Sequence, residues 1–143
     1  MEEIKKISKQ VIVMRKEFLI DGKKVTPRKG KFCVQACHAS LAAILNFADK
    51  STHGEIRILF ENDETDALQD WINGMFTKIT VSVNSEAELV EIYNKAKEKG
   101  LLCSLITDAG LTEFNGVPTL TAVAIGPNWD FDINPITGHL PLL

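Results

Sequence analysis

The chain has 143 residues, 45% of them hydrophobic and 24% charged, which suits one domain with a sizeable core and is ordinary for a soluble globular protein. No apolar run approaches the roughly 18 residues of a membrane span, residues 1–10 carry no signal-peptide core, and three cysteines argue against a disulfide framework and for a reducing compartment, the cytoplasm. The net charge of −3 speaks against a general nucleic-acid binder, yet residues 1–31 hold ten Lys or Arg against four acids, so a local anion-binding surface is expected there.

In chain order, Gln10 to Arg15 is a short apolar run expected to be a buried strand. Asp21-Gly22 between apolar residues predicts a hairpin or tight loop within Phe18 to Thr26. Gly30 is expected to break the chain, and a helix should follow to about Ala48. Lys31, Gln35 and His38 fall at i, i+4 and i+7 and should project from one face of it. Val34, Cys37, Leu41, Ile44 and Leu45 form a neighbouring apolar stripe, expected to bury against a sheet. A cation, an amide and an imidazole at a core edge suit a reactive site. A solvated Lys and a structural His are the plainer alternatives.

Glu55 to Phe60 alternates and is expected to be an edge strand. Asp63 to Asn73 carries Leu68, Trp71 and Ile72 at helical spacing, and Gly74 should end that helix. Thr77 to Val83 alternates as a strand. Ser85 and Glu88 make a capping box for a helix with Leu89, Ile92, Tyr93 and Ala96 inward and Gly100 at its end. Cys103 to Thr107 and Leu120 to Ile125 are the remaining strands, the last closed by Gly126-Pro127. Phe131 to Leu143, with Pro135, Gly138 and Pro141, is expected to be a mostly irregular tail. Strands alternating with helices predict one α/β domain over residues 1–143, with helices on both faces of a sheet and residues 1–9 flexible. Asp108 ends the Cys103 strand before Gly110 and is read either as a turn former or as a carboxylate that reaches Lys31 or His38.

Five short motifs now stand in order. Lys29-Gly30-Lys31 with Gln35 and His38-Ala39, then Trp71, Gly74 and Lys78-Ile79, then Gly100-Leu101 and Asp108-Ala109-Gly110-Leu111-Thr112-Glu113, then Gly116 and Ala124-Ile125-Gly126-Pro127, and finally Ile136-Thr137-Gly138-His139-Leu140. Together they resemble the archaeal and eukaryotic type of peptidyl-tRNA hydrolase. The segments 18–28 and 49–62 are longer than is usual there, and Arg28 stands where Gly is common.

The resemblance implies a three-layer α/β/α domain on a mixed, mainly four-stranded sheet, often a homodimer. It implies hydrolysis of the ester between a peptide and the terminal ribose of tRNA, without metal or organic cofactor. His38 is then expected as the base or water-orienting group, with Asp108 tuning it; the alternative is Asp108 as base and His38 as orienter. Lys31 would stabilise negative charge or hold the terminal phosphate, and Gln35 and Thr112 would supply positioning hydrogen bonds. Lys29 is expected at a phosphate, with Arg28 and Lys78 as further substrate contacts. A non-catalytic tRNA- or protein-binding module on the same fold is the rival.

Cys33, Cys37 and His38 do not match a standard zinc spacing. Cys37 and His38 are adjacent on a helix, so they point about 100° apart and make a poor nucleophile–base pair. His139 is expected to pack the C-terminus, and His53 has no assigned role.

Overall fold

The computed structural model describes residues 6–60 and 66–143. The first strand, β1 (Ser8–Arg15), begins two residues earlier than its apolar run. Its alternation sends Val11 and Val13 to one face of the sheet and Ile12 and Met14 to the other, and each pair founds a separate core. Residues 1–5, the rest of the stretch expected to be flexible, lie outside the described residues.

Next come β2 (Phe18–Ile20) and β3 (Lys23–Val25), an antiparallel hairpin. Asp21 and Gly22 both take positive φ, 50° and 77°, which is what a two-residue turn of this kind demands of its central positions. Then α1 (Lys29–Phe47) starts one residue before Gly30, so that glycine lies in the first turn and does not break the chain. After α2 (Ala67–Asn73), β4 (Lys78–Val83) and α3 (Glu86–Glu98), β5 (Cys103–Asp108), β6 (Thr119–Trp129) and α4 (Asp130–Thr137) complete the described elements. The capping box at Ser85 and Glu88 forms as expected.

Among the described residues the central sheet has the order β4-β1-β6-β5. β4 is parallel to β1, and β6 is antiparallel to both β1 and β5. The ends of β1, β4 and β5 therefore lie at one edge of the molecule, beside the start of β6. On one face α3 and α4 cover Val11, Val13, Val81, Val83, Val123 and Ile125 with Leu89, Ile92, Ile133 and Ile136. On the other, α1 covers Ile12, Met14, Ala122 and Ala124. This is the expected three-layer α/β/α domain on a mixed four-stranded sheet.

Further expectations need correction. The buried face of α1 is Gln35, Ala39 and Ala43, flanked by Phe32 and Ala36, whereas Val34 and Leu41 are 49% and 58% exposed and Cys37 is exposed as well. Small side chains let the helix lie close on the small residues Ala122, Ala124 and Ser104, and hydrogen bonds stitch it down. Ser104 Oγ donates to the Ala39 carbonyl at 2.7 Å, and the buried Gln10 amide donates to the Ser40 carbonyl at 3.1 Å. Apolar volume was therefore the wrong guide to the inward face. Glu55 to Phe60 forms no strand but a single bridge between Asp49 and Arg57, with Ile56 and Leu59 exposed.

The last strand runs past Gly126-Pro127 to Trp129, because a register shift between Lys9 and Val11 of β1 accommodates the proline that cannot donate to the ladder. Within the expected irregular tail, Asp130–Thr137 is helical despite Pro135. Ile133, Ile136 and Thr137 at i, i+3 and i+4 are buried, and Asp130 and Asp132 favour the first turn. The helix expected from Asp63 starts instead at Ala67, where the extended Asp66 caps it by accepting the Leu68 N–H at 2.8 Å; residues 61–65 lie outside the described residues. Leu68 and Trp71 are buried as expected, but Ile72 is exposed.

Candidate active site

The start of α1 and the end of β5 meet at the sheet edge where the parallel strands end, the place where open α/β sheets tend to bind ligands. Lys31 lies in the first turn of α1 and Asp108 is the last residue of β5. Lys31 Nζ is 2.9 Å from Asp108 Oδ2 and donates to Thr112 Oγ1 at 2.9 Å. The side chains of Lys31 and Asp108 are only 13% and 14% exposed, so this pair is far less screened than a surface ion pair. Lys31 Nζ also stands 5.4 Å from the ring centroid of the buried Phe114.

Gln35, one helical turn on, donates Nε2 to Asp108 Oδ1 at 3.1 Å. Asp108 Oδ2 accepts the Gly110 N–H at 2.9 Å. Gly110 has a φ of 81°, and a Cβ there would collide with the Val117 carbonyl, so the turn requires glycine. Burial alone would push the Asp108 carboxyl up. The hydrogen bond from Lys31, the Gly110 amide, the Lys31 charge and the Gln35 amide together outweigh it and hold the carboxyl below its ordinary range.

Behind Gln35 stands a residue that sequence reasoning missed. Thr121 Oγ1 donates to Gln35 Oε1 at 2.6 Å, and both residues are buried. Ile106 pairs with Ala122 but Thr107 pairs with Leu120, so Thr121 is the extra residue of a β-bulge. The bulge turns Thr121 towards α1. A polar residue inside an otherwise apolar run was the only signal in the sequence.

The other expected site residues are placed as follows. His38 is exposed on α1 and makes no hydrogen bond or ion pair among the described residues. Arg28, the residue before α1, gives its N–H to Glu113 Oε2 at 3.0 Å, and its side chain, 91% exposed, lies 3.5 Å from Glu113 Oε1. Lys29 is exposed at the first position of α1. Lys78 begins β4, at the opposite edge and opposite end of the sheet from Asp108. Its ammonium sits 3.3 Å from the Phe76 ring centroid, and burial lowers its pKa. The structure does not bring Lys78 to the site. His139 is exposed and not packed. Cys33 and Cys37 are exposed free thiols, and among the described residues no three His, Cys, Asp or Glu side chains converge to hold a metal ion.

A buried-edge cation tied to a carboxylate and a hydroxyl, beside helix-start N–H groups that take no partner among the described residues, defines an α/β protein suited to an anionic, oxygen-rich substrate. Similarity to known proteins gives that class its family. The profile described as Peptidyl-tRNA hydrolase PTH2 matches residues 8–143, so the chain belongs to that family. It is 44% identical to the peptidyl-tRNA hydrolase of Methanocaldococcus jannaschii over 115 residues, covering 80% of this chain and 88% of the relative. It is 37% identical over 135 residues to that of Methanothermobacter thermautotrophicus, covering 94% of this chain and 99% of the relative. With that of Nanoarchaeum equitans the figures are 37% over 134 residues, 94% and 97%.

Proposed function

We propose that the chain hydrolyses the ester that joins a peptide to the terminal ribose of tRNA. The observation that carries this reading is the coupling of Lys31, Asp108 and Thr112, because ester hydrolysis needs a fixed positive charge and a hydroxyl where the oxyanion develops. Asp108 neutralises and aims the ammonium, and Gln35 and Thr121 fix the carboxylate from behind. The Lys29 ammonium and the N–H groups of the first turn of α1 suit the terminal phosphate. His38 on the same helix is assigned to orient or deprotonate the water. Asp108 as the base is the second reading. Its central position favours it, and its depressed acidity, which makes it a weak base, opposes it.

The test is gel-resolved cleavage of a purified peptidyl-tRNA by the parent protein. Turnover is expected. Salt-sensitive tRNA binding without turnover would instead identify a non-catalytic binding module, a role for which the intact Lys31–Asp108–Gln35–Thr121 chain has no use. We further assign a cytoplasmic location, supported by the two exposed free thiols. Among the described residues no helix is long and apolar enough to cross a membrane. We also assign a homodimer through α1, supported by exposed Val34, Cys37 and Leu41 at three- and four-residue spacing along one helix face.

A further inference from the structure

The basic first third of the chain does not form one surface. Lys6 lies over the Trp129 ring and Lys9 bonds Asn134, both at the end of the sheet where the parallel strands begin. Lys16 follows the other end of β1, Lys23 and Lys24 lie on β3, and Arg28, Lys29 and Lys31 stand at the start of α1, with only Glu17 and Asp21 as acids in the stretch 16–31. Lys31 is held by Asp108 and Arg28 by Glu113. Lys16, Lys23, Lys24 and Lys29 are exposed and take no carboxylate partner among the described residues.

Lys23 and Lys24 stand on the β2–β3 hairpin, which is bolted to the site. Phe18 and Ile20 are buried with Phe114, and the Phe18 and Phe114 rings are 4.7 Å apart. The Lys31 ammonium lies 5.4 Å from the centroid of the same Phe114 ring. At the turn Asn115 Nδ2 donates to Asp21 Oδ2 at 3.3 Å, and at the base the Arg28 N–H donates to Glu113. A hairpin of three-residue strands is not stable alone, and here the 110–117 loop holds it. Its outer face carries Leu19 paired across the ladder with Lys24. Lys23 is paired across the ladder with the buried Ile20 and Lys24 with the exposed Leu19, so the two lysines leave the arm from opposite faces, and Lys29 adds a further exposed cation at the helix start.

We propose that the β2–β3 hairpin is an RNA-backbone arm, in which Lys23 and Lys24 contact phosphates of the tRNA portion of the substrate beyond its terminal nucleotide. The inference rests on the reading of the site as a peptidyl-tRNA esterase. Unpaired cations on a fixed element adjoining that site supply affinity for a polyanion without touching the reacting ester. Lysine suits this role, since a backbone contact needs a point charge and not a bidentate fork.

The test compares the parent with the double variant Lys23→Glu/Lys24→Glu on two substrates. One is N-acetyl-aminoacyl-tRNA, and the other is the N-acetyl-aminoacyl ester of adenosine, which lacks the tRNA body. For the tRNA substrate KM is expected to rise about tenfold or more with kcat unchanged, and the salt dependence should weaken by roughly 0.7–0.9 in slope for each phosphate that is no longer neutralised. The adenosine ester should be cleaved as by the parent. An unchanged KM for the tRNA substrate overturns the arm, and so does an equal loss on both substrates, which would mean the hairpin acts through the site itself. Filter binding of deacylated tRNA separates the two readings. Binding that is weakened about tenfold in the variant sustains the arm even if the parent cleaves neither ester, an outcome that removes only the esterase.

Discussion

Thr121 gives its hydroxyl proton to Gln35 Oε1 at 2.6 Å, and this leaves Gln35 only its NH2 group to turn towards Asp108. An amide has two unlike ends, and this hydrogen bond decides which end the carboxylate meets. The Asp108 charge therefore depends on a residue that does not touch it.

Replacing Thr121 with Val should leave the buried Gln35 oxygen without its donor, at a cost of about 1–3 kcal/mol in stability. Part of that cost should appear in kcat, where about 1.4 kcal/mol is tenfold. Thr121→Ser should retain the parent rate. Thermal unfolding and kcat on peptidyl-tRNA check both, and a Val variant as fast and as stable as the parent would contradict the positioning role.

Lys31→Ala and Asp108→Asn each remove one side of the charged pair. Each is expected to lower kcat by about 10²–10³, the usual loss when a donor to a developing oxyanion is removed. The double variant should lose little more than either single one, because the two residues act as a unit. If each single variant cleaves within about threefold of the parent, ester hydrolysis does not occur at this pair.

The depressed Asp108 carboxyl also bears on acid stability. Its folded pKa lies below its unfolded value of about 3.9, so the folded state holds fewer protons than the unfolded chain at mildly acidic pH. The stabilisation is therefore fully present above that unfolded value and is lost as pH falls through the lower folded one. Urea midpoints should show the parent's advantage over Asp108→Asn constant from about pH 7 to 5 and shrinking below about pH 4. An advantage that persists undiminished to about pH 2 would show that no proton is involved.

His38 is exposed and unbonded among the described residues, so His38→Ala should leave the melting temperature unchanged. A base or water-orienting role predicts a kcat loss of about 10²–10⁴. A parent-like kcat would return water activation to Asp108.

The apolar face of α1 that points away from the sheet predicts association. Leu41→Glu should convert a dimer to a monomer in sedimentation velocity without changing the far-ultraviolet spectrum. A parent that is already monomeric at high micromolar concentration removes the dimer.

Much of this architecture was legible residue by residue. Asp21-Gly22 announced its hairpin, Ser85 and Glu88 their cap, and Asp108 its place at a strand end, because each depends on local backbone chemistry. The pairing of Lys31 with Asp108 was within reach, since helix spacing and strand order brought both to one edge. What failed depended on tertiary packing. The inward face of α1 was misread because close approach to Ser104, Ala122 and Ala124 favours alanine over leucine. Thr121 stayed hidden because a bulge reversed the side that alternation assigns to it. Pro135 masked a helix whose buried face is supplied by Ile133, Ile136 and Thr137.

The alanine seam under α1 has one more effect. Ala39 and Ala43 act as spacers that set how far the helix stands from the strands, and Lys31 and Gln35 ride on that same rigid rod. A bulkier residue in the seam would wedge the rod outward and lift ammonium and amide off the carboxylate together. The gauge of the reaction centre is thus kept by side chains with no chemistry of their own.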